Sequence, residues 1–265
     1  MAGHAVPAAS ARRHPLGYGR SMISTLRVTT IAVALTSAVT LAASPQSARK
    51  PTLIISPTNP QSSTNNSRWK VLFDGTSLDA WRGYKSDAVP DGWRIEKGTL
   101  TKDRPVKDLV SKDEFGDFEL EIEWKIGEAG NSGIFYRGSE EFEHIYWSAP
   151  EYQLLDDIKA SDNKTRLTCA GADYGLYPSP EGHLNPVGDW NKTRIVAKGT
   201  HVEHWLNDFK LLEYEFWSPD WEAKVKASKF AAWPGYGRAT KGHFALQGDH
   251  NGVLSFRNIR VRELR

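Results

Sequence analysis

The chain has 265 residues, of which 39% are hydrophobic and 25% are charged. This size and composition suit one large or two small globular domains, and they exclude a disordered chain, a collagen and a polytopic membrane protein. The single cysteine, Cys169, excludes a disulfide framework and a cysteine-ligated metal cluster. Six of the 34 basic residues and none of the 32 acidic residues lie in residues 1–66. Residues 67–265 therefore contain 28 basic and 32 acidic residues and are mildly acidic. This acidic remainder argues against nucleic acid or an anionic membrane as a partner.

The N-terminal segment has the order of charges and apolar residues that is typical of an export signal. Arg20 and Arg27 precede a largely apolar run over residues 28–43, and small residues at 42–44 resemble a signal-peptidase site. Residues 1–44, with Met22 as an alternative start, are therefore predicted to direct export to the periplasm or the medium. A membrane anchor is the alternative, but the run is shorter than the ~20 residues of a span, so no stable span is expected after cleavage. Residues 45–67, rich in Pro, Ser, Thr and Asn, predict a disordered linker.

From residue 68 to the C-terminus the hydrophobic period is two, which is typical of strands with one buried face. The clearest strand is 117–126, where apolar residues alternate with Glu and Lys, and its glutamates indicate a solvated face. Further strands are predicted over 70–73, 93–96, 133–136, 152–155, 193–197, 201–206, 210–214, 243–247 and 253–262, with a hairpin turn at Asn207-Asp208. A helix is predicted from Pro219 to Phe230, with Ser218 as its cap. This pattern predicts one all-β sandwich or barrel over residues 68–265.

Two clusters of polar residues lie within apolar strands, where burial is costly unless it serves a purpose. Residues 131–137 end in Arg137, whose guanidinium can bind a carboxylate or a sugar hydroxyl, although pairing with a neighbouring glutamate is the alternative. Residues 151–157 place Glu151 and Gln153 on one strand face, where a carboxylate can act as a general acid or base. An edge strand with ordinary polar residues is the alternative there.

Two further clusters contain histidine. His204 shares a strand face with Val202 and Leu206, and a lone inward histidine is more often a core residue than a functional one. The pair Asp249-His250 can relay a proton or ligate a metal, although Asp, Asn and Gly in this loop also suit plain turn chemistry. Arg257, inside the last predicted strand, is another candidate.

Seven segments, taken in order, resemble a known family, the 3-keto-disaccharide hydrolase domain. They are W-K-V-L-F-D-G-T-S-L-D-A-W (69–81), N-S-G-I-F-Y-R (131–137), E-Y-Q-L-L-D-D (151–157), G-A-D-Y-G-L-Y (171–177), N-P-V-G-D-W-N-K-T-R-I-V (185–196), V-E-H-W-L-N (202–207) and L-Q-G-D-H…V-L-S-F-R-N-I-R-V-R-E-L (246–264). The resemblance covers nearly all of residues 69–265. It implies a concanavalin A-like jelly-roll β-sandwich, the fold of lectins and many glucanases.

The resemblance also implies a reaction. It implies an enzyme that acts on 3-keto-glycosides. These are sugars whose C3 hydroxyl has already been oxidised by a separate glycoside 3-oxidoreductase. The ketone acidifies the hydrogen on C2, a base removes that hydrogen, and the C1 substituent leaves by elimination. Hydration of the product then gives net hydrolysis. Such a site needs a base, an electrophile beside the ketone oxygen and a proton source for the leaving group.

Carried over residue by residue, the resemblance implies roles for particular side chains. The implied acid–base residues are Glu151 as the base, with His204, Asp249 and His250 as its partners. The implied substrate-binding residues are Asn131, Arg137, Gln153, Gln247 and Arg257. No nicotinamide cofactor is expected, and a divalent metal is left open. We therefore expect Glu151, Gln153, His204 and one of Asp249 or His250 to line one cavity on the concave face.

Two other functions stay open at the level of the sequence. A carbohydrate-binding module of the same fold would use aromatic residues and amides without an acid–base set. A conventional glycoside hydrolase would use paired carboxylates, and the position two residues after Glu151 holds Gln153 instead of a second acid.

Overall fold

The computed structural model describes residues 68–265, and the predicted signal peptide and linker lie outside these residues. Its strands, numbered in chain order, form two antiparallel sheets. The first sheet contains β1 (Lys70–Phe73), β3 (Arg94–Glu96), β4 (Thr99–Lys102), β6 (Phe118–Ile126), β9 (Asn191–Lys198), β10 (His201–Leu206), β11 (Phe209–Glu215) and β13 (Leu254–Glu263). The second contains β2 (Trp81–Gly83), β5 (Leu109–Phe115), β7 (Asn131–Gly138), β8 (Glu151–Leu155) and β12 (Gly242–Leu246).

The order of the strands confirms the predicted all-β jelly-roll sandwich. The first sheet runs β11-β10-β9-β6-β13-β4-β3, with β1 paired to β13, and the second runs β2-β5-β12-β7-β8. Every strand predicted from the alternation is present, whereas β2, β4 and β5 were not predicted. These three strands lack a clear alternation, and β5 buries its first three residues in succession.

Short segments of helix connect the strands. Helix α1 spans Pro219–Ala227, and the Ser218 hydroxyl caps it by accepting a hydrogen bond from the Trp221 amide at 3.2 Å. The predicted helix therefore begins where expected but ends earlier, and a 3₁₀ turn over Lys229–Ala232 follows it. Two more 3₁₀ turns span Ile145–Trp147 and Arg166–Thr168. Within residues 68–265, none of the helices has the length and apolar character required to cross a membrane.

Strand β6 shows how a period of two builds the interior between the sheets. Its buried side chains are Phe118, Leu120, Ile122, Trp124 and Ile126. Burial of each such side chain stabilises the fold by about 1.5–3 kcal/mol. Its outward glutamates pair across to arginines of β13, as Glu119–Arg262, Glu121–Arg260 and Glu123–Arg257. The glutamates of β6 are therefore a charged outer face, as the alternation predicted.

Candidate active site

A cavity of about 250 Å³ lies over the face of β7 and β8 that is turned away from the first sheet. It is lined by Asn131, Tyr146, Ala149, Glu151, Gln153, Asp162, Tyr174, Lys229, Phe230, Tyr236, Gln247, Asp249 and His250. We call this space the Glu151 cavity. Six residues that the sequence singled out meet in it, namely Asn131, Glu151, Gln153, Gln247, Asp249 and His250. Their roles in a reaction remain predictions.

The pairing of β7 with β8 forms the floor of the Glu151 cavity. Gly133 pairs with Gln153, and the Glu151 carboxylate folds over Gly133, so a Cβ at position 133 would collide with that carboxylate. With its amide turned so that the nitrogen faces acceptors, Gln153 donates to Glu151 Oε1 at 3.1 Å and to the Ser132 carbonyl at 3.3 Å. The glycine and the amide therefore hold the carboxylate in one position.

The environment of Glu151 suits proton transfer near neutral pH. Burial raises the pKa of Glu151 to about 8, because the charged form loses hydration. The ammonium of Lys229 opposes this shift, and the carboxylate of Asp249 adds to it. A group with a pKa near the operating pH is effective as a general acid or base, and such shifts are typical of functional sites.

A buried lysine and a closely packed glycine hold the loop that carries Asp249 and His250. Lys102 has a fully buried side chain, and its Nζ donates to the His250 carbonyl at 2.7 Å. Gly248 approaches a neighbouring segment so closely that a Cβ there would lie 2.6 Å from the Val106 carbonyl oxygen. The Asp249 and His250 side chains remain accessible above, with 3.7 Å between Oδ1 and Nε2. The backbone of this loop is therefore held in a defined position.

Asp108 is an acidic residue beside this loop that sequence reasoning missed. Its Oδ1 accepts a hydrogen bond from the Gly248 amide at 2.8 Å, across 140 positions of the chain. Burial raises the pKa of Asp108 to about 7, and the nearby Asp249 carboxylate also raises it, whereas the Gly248 hydrogen bond lowers it. Asp108 precedes β5 with no motif around it, so no signal in the sequence marks it.

Tyr236 is the second residue that the sequence did not indicate. Its ring stacks on Phe230 at 4.0 Å, and its buried hydroxyl has no hydrogen-bond partner among the residues that the structure describes. Burial raises the pKa of Tyr236 well above its usual range, so the hydroxyl keeps its proton. Gln247 Oε1 is likewise buried without a partner in residues 68–265. Unpaired buried polar atoms cost roughly 1–3 kcal/mol each, and a bound ligand would relieve that cost.

His204 does not line the Glu151 cavity, so the expectation that it shares a site with Glu151 is corrected. It points from β10 into the interior between the sheets, where its ring contacts Tyr152 at 4.8 Å. Tyr152 lies on the opposite face of β8 from Glu151, because neighbouring residues of a strand alternate. Both ring nitrogens of His204 are hydrogen-bonded, Nε2 to the Tyr136 hydroxyl at 2.9 Å and Nδ1 to the Gly171 carbonyl at 3.0 Å. Burial lowers the pKa of His204 to about 4, and the ring is a neutral core residue.

Two arginines also lie away from the cavity. Arg137 is buried at the end of β7, where a φ of 52° interrupts the alternation, and its guanidinium bonds the Gly116 and Gly199 carbonyls at 3.0 Å. Arg257 belongs to the charged outer face of the first sheet, with its Nε 2.6 Å from Glu123 Oε2. Neither contacts the Glu151 cavity, so the expectation that they bind a ligand there is not supported by their positions.

Within residues 68–265, the side chains placed closely enough to hold a metal ion are His201, Glu203 and Glu213. They lie on β10 and β11, in the other sheet from the Glu151 cavity. Lys210 Nζ already contacts both carboxylates, at 3.5 Å to Glu203 and 2.6 Å to Glu213. This group is therefore a surface ion-pair network, and the Asp249-His250 pair is not part of it.

Comparison with known proteins places the chain in a family. The 3-keto-alpha-glucoside-1,2-lyase-like domain matches residues 68–262, and the chain belongs to that family. It is similar to a 3-keto-disaccharide hydrolase of Bacteroides thetaiotaomicron, with 38% identity over 227 residues that cover 73% of this chain and 78% of the relative.

Solved structures are similar in fold. A proposed glycosyl hydrolase from Parabacteroides distasonis has a TM-score of 0.70 and 30% identity, covering 74% of this chain and 94% of the other. A second one from the same organism has a TM-score of 0.59 and 25% identity, covering 74% of this chain and all of the other.

Proposed function

We propose that the chain is a carbohydrate-active enzyme that cleaves 3-keto-glycosides by elimination and hydration, with net hydrolysis. The observation that carries this proposal is Glu151, a carboxyl with a pKa of about 8 on the floor of a small polar cavity. The similarity to a protein named 3-keto-disaccharide hydrolase supports the substrate class. The family description, which names a 1,2-lyase, supports the elimination step.

The residues of the cavity suit each part of this reaction. Glu151 takes the hydrogen from C2, and the electrons of that bond move towards the C3 ketone to form an enolate. The Tyr236 hydroxyl is an available donor for the enolate oxygen, because it keeps its proton and has no partner among the described residues. The enolate then collapses, which restores the C3 ketone and forms a C1=C2 double bond as the C1–O bond breaks, and the leaving oxygen takes a proton. Water adds to C1 and a proton returns to C2, which completes net hydrolysis.

Conventional glycoside hydrolysis by paired carboxylates is the second candidate, and a specific observation favours it. Asp108 and Asp249 bring further carboxyl groups to the neighbourhood of Glu151, which the Glu-x-Gln spacing did not reveal. That mechanism needs no ketone on the sugar. The requirement for the ketone therefore distinguishes the two reactions.

The test compares a 3-keto-disaccharide with its parent disaccharide, in buffer without a nicotinamide cofactor. We expect cleavage of the keto sugar only, because the ketone is what acidifies the C2 hydrogen. Glu151→Gln should lower the rate by ~10² or more, the scale of a lost general base. Glu141→Gln, which changes an exposed glutamate, is the matched control and should retain the rate.

Heavy water distinguishes elimination from direct hydrolysis. Elimination followed by hydration reprotonates C2 from solvent, so the released keto sugar should contain deuterium at C2. Direct displacement at C1 would leave C2 unlabelled. Equal cleavage of the keto sugar and the parent sugar would contradict the proposal and favour the paired-carboxylate reaction.

We further propose that residues 1–44 direct export and that the protein works in the periplasm or the medium. The charged, apolar and small-residue order of that segment supports export. A glycoside 3-oxidoreductase must supply the substrate, since the ketone arises by oxidation of the C3 hydroxyl. Mass spectrometry of the protein from an expressing bacterium should find a mature N-terminus close to residue 45, and an uncleaved chain would contradict the export proposal.

A further inference from the structure

A larger groove adjoins the Glu151 cavity. It has a volume of about 700 Å³, and Tyr84, Lys107, Asp108 and His144 are among the residues that line it. We call it the second groove. Tyr146 and Asp249 line both spaces, so the two adjoin at these residues.

Size indicates what each space can hold. The Glu151 cavity, at about 250 Å³, corresponds to roughly eight water molecules and lies below the ~300–1,000 Å³ typical of small-molecule sites. It suits one sugar ring, so the other ring of a disaccharide must lie outside it. Another cavity, near 840 Å³ and lined in part by Arg166 and His183, shares no lining residue with the Glu151 cavity. The second groove, which shares Tyr146 and Asp249 with the Glu151 cavity, is therefore the space into which we place the other ring.

The lining of the second groove suits a sugar ring. The rings of His144 and Tyr146 stack on each other, nearly parallel and with centroids 4.9 Å apart, and this stacked pair is an aromatic wall of the groove. Tyr84 is held by its hydroxyl, which donates to the Phe142 carbonyl at 2.8 Å. Aromatic faces pack against the C–H side of a pyranose, and the charged groups of Lys107 and Asp108 can bond its hydroxyls.

We propose that the second groove binds the departing sugar of a 3-keto-disaccharide, with its ring packed against the wall formed by His144 and Tyr146. This inference rests on the proposed function and assigns which sugar of the substrate occupies which of the two spaces. The keto sugar occupies the Glu151 cavity, and the glycosidic oxygen lies at the junction beside Asp108 and Asp249. As the C1–O bond breaks, its electron pair goes to that oxygen, and the Asp108 carboxyl in its protonated form supplies the proton that the oxygen takes.

The test measures KM and kcat for two substrates, a 3-keto-disaccharide and methyl 3-keto-glucoside, whose methyl group leaves the second groove empty. His144→Ala removes half of the wall at a half-exposed position, so the variant should fold. We expect its KM for the disaccharide to rise about 3–10-fold, the scale of one aromatic contact. Its KM for the methyl glycoside should stay within about twofold. His183→Ala, which removes a ring stacked on Phe209 at the cavity of about 840 Å³, is the matched control and should change neither value.

The outcomes separate this inference from the proposed function. A selective rise in KM for the disaccharide supports the second groove as the site of the departing sugar. If the wild-type protein cleaves both substrates and His144→Ala changes both equally, or changes neither, the second groove does not bind that sugar, while the proposed function stands. If the wild-type protein cleaves neither keto substrate, the proposed function fails, and this inference fails with it.

Discussion

Replacing Glu151 by glutamine should stabilise the folded domain at alkaline pH while abolishing the proposed base. Glutamine keeps the shape and the hydrogen-bonding capacity of the side chain but cannot become charged. The folded-state pKa of Glu151 is about 8, against 4.5 for an ordinary glutamate. Between these two values the folded protein holds a proton that the unfolded chain releases. The stability of the wild-type protein therefore falls as pH rises through this interval.

The size of the effect follows from the two pKa values. At about 1.4 kcal/mol per pH unit, the interval from 4.5 to about 8 corresponds to roughly 5 kcal/mol of unfolding free energy. This is a large part of the 5–15 kcal/mol that stabilises a typical domain. The contribution is fully present below pH 4.5 and is lost once the pH exceeds about 8.

Urea unfolding followed by tryptophan fluorescence, at pH 5 and at pH 9, measures this difference. The free-energy gap between Glu151→Gln and the wild type should increase by several kcal/mol from the lower to the higher pH. Asp108 and Asp173 are also buried carboxyls that both proteins contain; the Glu151 charge raises the pKa of Asp173, so the gap reports the titration of Glu151 together with this coupling. Glu141→Gln, at an exposed position, should show a gap within about 0.5 kcal/mol at both pH values. A gap for Glu151→Gln that does not change with pH would refute the reasoning.

Three further predictions concern activity. Because only the deprotonated form of Glu151 is a base, kcat/KM for a 3-keto-glucosyl fluoride, whose fluoride leaves without a proton, should rise with pH through about 8. For a 3-keto-disaccharide, which also needs a protonated Asp108, kcat/KM should instead pass through a maximum between about 7 and 8. Asp249→Asn should move the rise for the fluoride to lower pH and Lys229→Met to higher pH, and shifts in the opposite directions would contradict the assignment. Asp108→Asn should slow cleavage of a 3-keto-disaccharide by ~10² but slow cleavage of a 3-keto-glucosyl fluoride far less, because fluoride leaves without a proton. An equal loss of rate on both substrates would argue against Asp108 as the acid. Tyr236→Phe should lower kcat by ~10². The melting temperature should not fall, since the lost hydroxyl has no hydrogen-bond partner in the described part of the chain. An unchanged kcat would contradict a role for Tyr236 in the reaction.

Much of the architecture could be predicted from the sequence because side chains of a strand alternate. The alternation over 117–126 identified β6 and its charged face, and Asn207-Asp208, with φ values of 49° and 66°, forms the hairpin turn expected for that pair. The same rule correctly placed Glu151 and Gln153 on one face of β8, opposite Tyr152. These features depend only on residues that are close to one another in the sequence.

Which face of a strand meets the other sheet depended on tertiary structure. His204 and Glu151 are both polar residues in apolar strands, yet one points into the interior and the other points away from it. Alternation defines two faces for each strand but does not state which face of β8 is covered by β10. Arg137 departs from the pattern for a local reason, since its positive φ redirects the side chain.

The parts of the candidate site that the sequence did not indicate come from distant segments. Asp108 meets Gly248 because β5 and β12 are neighbours in the second sheet, and Tyr236 reaches the cavity from the segment after helix α1. No local pattern encodes these approaches, because they result from how the sheet pairs its strands. The sequence by itself determined the strands that alternate, the solvated glutamate face of β6 and the residues that share the face of Glu151. Only the tertiary structure decided which of the polar residues meet there, since burial and proximity are properties of packed sheets.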